Sequence, residues 1–97
     1  MEINAGELEV IHNEPENRFE IWVDDSLSKL DYYRDGQMMV MMHVGVPFEL
    51  RHQGIAAHLT QAALDYAERN ALRVIPMCPY VAAYVRRHPE YHRLTKG

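Results

Sequence analysis

Two side chains and one turn of this 97-residue chain have the residue types and setting that chemistry needs. Cys78, the single cysteine, directly precedes Pro79, and proline suits the first position of a helix. The Cys78 thiol therefore belongs at a helix N-terminus, where positive end potential favours the thiolate and makes it a candidate nucleophile. A small buried residue filling space is the other reading. His43 is the one titratable side chain within the apolar run Met38 to Val46, which suits it to general-base work or to a hydrogen-bonded place in the core. The segment Leu50-Arg51-His52-Gln53-Gly54-Ile55-Ala56 is a basic, glycine-containing entry to a helix. Helix N-termini leave amides unpaired and carry partial positive charge, so this turn could hold a diphosphate, with Gly54 allowing close backbone approach. Gly54 could equally be an ordinary helix-start residue, and Arg51 could be solvated rather than paired with phosphate.

The elements that must position these groups follow from periodicity. Apolar and polar residues alternate over Leu8 to Ile11 and again where Phe19, Ile21 and Val23 interleave with Glu20, Trp22 and Asp24, with Asn13 to Asn17 as the turn between two antiparallel strands. A third strand, Leu27 to Arg34, meets Asp35-Gly36, a pair that favours a type I′ hairpin. The fourth spans Gln37 to Val46. Strict alternation puts Met38, Val40, Met42, Val44 and Val46 on one face and Met39, Met41 and His43 on the other, as expected of a central strand covered on both sides.

After Pro47 the period changes to 3.6, predicting one long helix from about Leu50 with Ile55, Leu59, Ala62, Ala63 and Tyr66 on its apolar stripe. Asn70 reads as a left-handed cap. Leu72 to Ile75 then forms a short strand parallel to the fourth, because a helical crossover joins them. A second helix runs from Pro79 to Arg87 and stops before Pro89. The chain reads as one domain over residues 1–97, α+β in class, in the order β-β-β-β-α-β-α, with a mixed, mostly antiparallel sheet and a βαβ unit.

Composition narrows the function. A lone cysteine excludes an internal disulfide and a cysteine-rich zinc site. The six histidines offer no helical i, i+4 ligand pair, since His88 and His92 enclose Pro89, so no metal is expected. A net charge of -4 opposes the positive field that nucleic acid attracts, so no nucleic-acid partner is expected. No apolar run approaches the roughly eighteen residues of a membrane span, and no basic leader precedes one, which makes the cytoplasm the expected location.

The order strand, Val46-Pro47, then Arg51-His52-Gln53-Gly54-Ile55-Ala56, then an amphipathic helix resembles motif A of the GNAT acyl-CoA transferases. Val74-Ile75-Pro76-Met77-Cys78-Pro79-Tyr80-Val81 narrows the likeness to a short, single-domain branch of that superfamily, whose members carry His-Thr-X-Val-Pro before the glycine turn and Pro-X-Cys-X-Tyr/Phe-Val after it. The similarity runs from about Arg18 to Leu94. In two places the chain departs from the pattern. His52 stands where the family often has glycine, and Val44 replaces the usual threonine.

The resemblance implies the GNAT fold and an acetyl-CoA-dependent N-acetyltransferase that passes acetyl to an amine of a small molecule or a protein. It implies that Arg51, His52, Gln53, Gly54, Ile55 and Ala56 hold the diphosphate and that the strand backbone around Val44 holds the pantetheine arm. Backbone amides near Gly45 and Val46 would polarise the thioester carbonyl, and Tyr80 would cover the pantetheine. Cys78 becomes a candidate acyl acceptor or proton donor to the departing thiol, and His43 a candidate general base. The N-terminal helices of a full GNAT domain are missing here, leaving an open acceptor side that suits a bulky partner or a homodimer. A CoA-binding sensor or adaptor that transfers nothing is the alternative function.

Overall fold

The computed structural model describes residues 4–95. Five strands form one sheet in sequence order: β1 (Ile11–Asn13), β2 (Arg18–Val23), β3 (Ser26–Asp35), β4 (Met38–Gly45) and β5 (Arg73–Pro76). The first four pair antiparallel and β5 runs parallel to β4, as the crossover through helix α1 (Ile55–Arg69) requires. Helix α2 (Pro79–Arg87) follows β5, and a single turn, α3 (His92–Thr95), ends the described chain. The class and element order are those expected from the sequence, with the first strand displaced to Ile11–Asn13 and α1 preceded by a 3-10 turn over Phe48–Leu50.

Reversals of direction sit at residues that tolerate a left-handed backbone. Asn17, Asp24 and Gly36 have φ of 54°, 53° and 59°. Asp35 pairs with Met38, so the β3–β4 loop is Gly36-Gln37 and only its first residue has positive φ. That is the pattern of a type II′ turn, not the type I′ turn expected of Asp35-Gly36. At the end of α1 the left-handed residue is Ala71, φ 54°, and not Asn70, whose φ is -103°. Asn70 instead donates from its side chain to the Tyr66 carbonyl at 2.8 Å, capping the helix without leaving the right-handed side of the map.

Both longer helices lie on one face of the sheet. Phe19 and Ile21 of β2, Leu30 and Tyr32 of β3, Met39 and Met41 of β4 and Val74 of β5 join Ile55, Leu59, Ala63, Leu64 and Ala67 of α1 and Val81 and Val85 of α2 in one buried cluster. Burying each large apolar side chain contributes about 1.5–3 kcal/mol, so this layer carries the stability of the domain. The hydroxyl of Thr60, buried in the same layer, donates to the Ala56 carbonyl at 2.8 Å.

The opposite face is open. Among the described residues no helix covers it, and Trp22, Tyr33 and Met42 are 46%, 55% and 51% exposed. The expectation of cover on both sides of β4 is therefore corrected: β4 is central because β3 and β5 flank it, and its outward residues Met38 and Val40 are half-buried. A polar cluster organises part of this outer face. The buried Glu20 carboxylate accepts hydrogen bonds from Asn13 Nδ2 at 2.9 Å, Arg18 Nε at 2.6 Å and Trp22 Nε1 at 3.2 Å. The bonds from Asn13 and Arg18 hold its carboxyl below the usual carboxylate range, with Trp22 adding and burial opposing.

Candidate functional site

The site begins where β4 and β5 part. Their register pairs Met38 with Arg73 and ends at Met41 with Pro76, while β4 itself continues to Gly45. From Met42 onward β4 is therefore paired with β3 alone, and the edge that faced β5 is free to meet a ligand backbone-first. The amide of Cys78 donates to the Met41 carbonyl at 3.0 Å, which fixes the root of this splay.

At the same level β4 contains a β-bulge. Tyr32 pairs with Met41 and Asp31 with His43, so Met42 is the extra residue. One inserted residue reverses the alternation. Strict alternation placed His43 beside Met41 on the buried face. The structure turns His43 outward, where it is exposed opposite Asp31, and brings Val44 inward against the core opposite Leu30.

Beyond β4, Pro47 and the 3-10 turn lead to Arg51, whose Nε donates to the Val46 carbonyl at 3.3 Å and whose guanidinium stacks 5.8 Å above the Phe48 ring. His52 has φ 66° and Gly54 φ 84°, both left-handed. Glycine takes that conformation freely and histidine does so at a cost of about 1–2 kcal/mol, so the tight turn is wound against the preference of His52. Gly54 is the N-cap of α1. No side chain caps the helix and its first turn has no carboxylate. The amides of Ile55, Ala56 and Ala57 consequently have no intrahelical acceptor and remain open to an anion.

The free strand edge and the open helix end border one cleft of about 550 Å³. His43, Val44, Gly45, Val46, Arg51, His52, Gly54, Ile55, Ala56 and Tyr80 all line it, joined by Leu50, the first residue of the turn segment, and by Ala57, which follows that segment and carries no signal of its own. Gln53 belongs to the same turn but is not part of the cleft wall. Burial pushes the Tyr80 hydroxyl above its ordinary value, with Arg87 opposing, so Tyr80 presents a neutral phenol to the cleft. Cys78 is the N-cap of α2, as the Cys-Pro pair predicts, but it is 6% exposed and does not line the cleft.

A second set of polar groups escaped sequence reasoning. The His12 ring stacks on Phe19 at 4.1 Å, meets the edge of Tyr66 at 4.5 Å, and its Nε2 lies 2.6 Å from the Tyr32 hydroxyl. Burial lowers the His12 imidazole below its ordinary value, with Glu14 opposing and Arg34 adding. These residues come from three strands and α1, so no local spacing in the sequence marks them. Among the described residues no group of histidine, cysteine and carboxylates could hold a metal ion, and no helix is long and apolar enough to cross a membrane.

Residues 18–94 match the family model described as GCN5-related N-acetyl-transferase. The mouse (Mus musculus) Protein NATD1 is 30% identical over 88 residues, which is 88% of this chain and 80% of that protein. The zebrafish (Danio rerio) Protein NATD1 is 33% identical over 89 residues, 87% of this chain and 81% of that one. The NMR solution structure of a GCN5-like protein from Staphylococcus aureus superposes with a TM-score of 0.73 at 28% identity, covering 93% of this chain and 89% of the other. With the family model matching most of the chain and the fold in agreement, the chain belongs to the GCN5-related N-acetyltransferases.

Proposed function

We propose that the chain binds acetyl-CoA in the cleft between β4 and the start of α1 and transfers the acetyl group to an amine. The observation that carries this reading is the meeting, in one cleft, of a strand edge without a partner and a helix end without a cap. The residues present fit the cofactor. Gly54 leaves room for phosphate at the amides of Ile55 to Ala57, with no acidic side chain in the first turn to repel it. Arg51 and His52 line the cleft beside that point with positive or hydrogen-bonding groups, and Gln53 belongs to the same turn outside the cleft wall. The edge from Val44 to Val46 offers backbone partners to a pantetheine amide, and the amides near Gly45 and Val46 are the donors proposed for the thioester oxygen.

When bound, acetyl-CoA supplies an activated acyl carbon. The chain's own residues do the rest. His43, exposed beside the splay, takes the proton that the amine loses. Cys78, at the root of the splay and at the N-terminus of α2, is buried outside the cleft wall, so its proposed role as proton donor to the departing sulfur or, in a two-step route, covalent acyl acceptor requires β4 and α2 to part there when the cofactor binds. The open outer face leaves the acceptor side accessible to a protein, a small amine or a second copy of the chain.

Calorimetry and kinetics with acetyl-CoA test the reading. A Cβ at Gly54 would sit 3.5 Å from that of Ala5, an ordinary contact, so Gly54→Ala adds conformational cost with little clash. It is expected to lower stability by about 1–2 kcal/mol, the cost of a left-handed residue with a side chain, and, where the free turn relaxes to relieve that cost, to weaken acetyl-CoA binding by up to about tenfold. Intact-mass measurement after incubation with acetyl-CoA decides the role of Cys78, with Cys78→Ala as control for an acetyl adduct. Binding without transfer to any amine of a broad panel would make the chain a CoA sensor. If acetyl-CoA at large excess leaves the Tm unchanged, the cofactor reading fails, because a ligand at a hundred times its Kd stabilises by about 2.7 kcal/mol.

A further inference from the structure

We propose that Gly45 is a positioning residue, whose missing side chain gives the His43 imidazole its place over β4 beside the cleft. The inference rests on the transferase reading for its catalytic meaning and on the geometry alone for the placement.

Glycine is costly within a strand, since it adds backbone freedom to the unfolded chain and packs nothing. Backbone conformation does not explain it at position 45, because the glycines with positive φ are Gly36 and Gly54 and Gly45 is not among them. Close approach does. A Cβ built on Gly45 would stand 3.2 Å from His43 Nε2 and 3.6 Å from its Cδ2, close enough that the ring would have to give way by a few tenths of an ångström. The bulge at Met42 makes this possible. It turns His43 outward opposite Asp31, and Gly45, opposite Lys29, falls on the same face two residues later. Among the described residues no hydrogen bond holds the ring, so its position depends on the room that Gly45 leaves. Both residues line the cleft together with Val46, whose amide is proposed to face the thioester oxygen.

The consequence for the reaction is directional. With the ring folded along the strand, Nε2 lies next to the backbone proposed to hold the reacting carbonyl. There it accepts one proton from the amine as the carbon–nitrogen bond forms and the carbon–sulfur bond breaks. The sulfur leaves as thiolate and takes up one proton from solvent or from the Cys78 thiol, while His43 releases the amine's proton to solvent, so charge and atoms balance.

Gly45→Ala tests this. The group in the way is the far end of a flexible side chain, so the new methyl displaces the imidazole and leaves the strand and its amides in place. The acetyl-CoA Kd is expected to stay within about twofold, while kcat for amine acetylation falls about tenfold or more, part of the roughly hundredfold or greater contribution that general-base catalysis supplies. In a His43→Gln background the same substitution is expected to change kcat no further, as two residues acting through one group require. A readout independent of turnover is the NMR signal of the His43 ring. On addition of CoA it is expected to shift in the parent chain and to stay unmoved in Gly45→Ala. Ring signals that respond alike in both proteins, or an equal loss of kcat with and without His43, would overturn the proposal. A parent chain that acetylates no amine would defeat the transferase reading, and the ring signals would then decide the placement alone.

Discussion

From Met38 to Met41, β4 has a strand on each side; from Met42 to Gly45 it has β3 only. The first half alternates regularly and sends Met39 and Met41 into the core. The second half bulges, exposes Met42 and His43, and borders the cleft. One eight-residue strand thus serves two purposes, and the change occurs where β5 stops. Pairing on both sides fixes the backbone and lets burial stabilise it, whereas the loss of one neighbour frees the hydrogen-bonding groups that a ligand needs.

Neighbouring methionines put this contrast to its strongest test. Met41→Ala removes a fully buried side chain and should cost about 2–5 kcal/mol in urea unfolding. A loss under about 0.5 kcal/mol would mean that the first half is not the anchor described.

A smaller effect is expected at Glu20, whose polar cluster lies on the outer face and whose partner across the sheet, Lys29, registers with Gly45. Glu20→Gln should cost about 1 kcal/mol near pH 7 through weakened charged hydrogen bonds. The folded carboxyl titrates below the ordinary glutamate value, so its contribution is complete above that ordinary value and is lost as pH falls through the lower, folded one. Thermal scans from neutral to acid pH should therefore show a shallower decline in Glu20→Gln than in the parent. Parallel declines would assign the acid sensitivity to other groups.

The smallest change is expected at Met42→Ala, within about 0.5 kcal/mol, because the side chain is 51% exposed. A cost approaching that of Met41→Ala would show that the outer face is covered in solution, as a homodimer would require.

Most of the architecture was legible because it rests on periods and punctuation. The 3.6-residue stripe of α1, the alternation of β2 and the Cys78-Pro79 start of α2 all appear where local sequence places them. The glycine turn was legible too, since a basic segment before an amphipathic helix is a local signal. The bulge was not. An inserted residue in a strand of uniformly apolar side chains leaves the hydrophobic pattern intact while reversing which face each later residue occupies. That single omission put His43 on the wrong face and hid its relation to Gly45. The His12, Tyr32 and Tyr66 contact was illegible for another reason, since it assembles only when β1, β3 and α1 pack together.

The unpaired edge of β4 has a consequence beyond the proposed cofactor binding. A strand that offers its amides and carbonyls to a ligand offers them equally to a strand of another molecule, the first step toward aggregation. Two features keep the invitation short. The bulge at Met42 twists the edge out of flat register, and Pro47, which has no amide hydrogen to donate, closes it after Val46. The ligand-free chain is thus guarded by the same irregularities that shape its cleft, and straightening β4 to make it more regular would make the protein stickier as well as less able to bind.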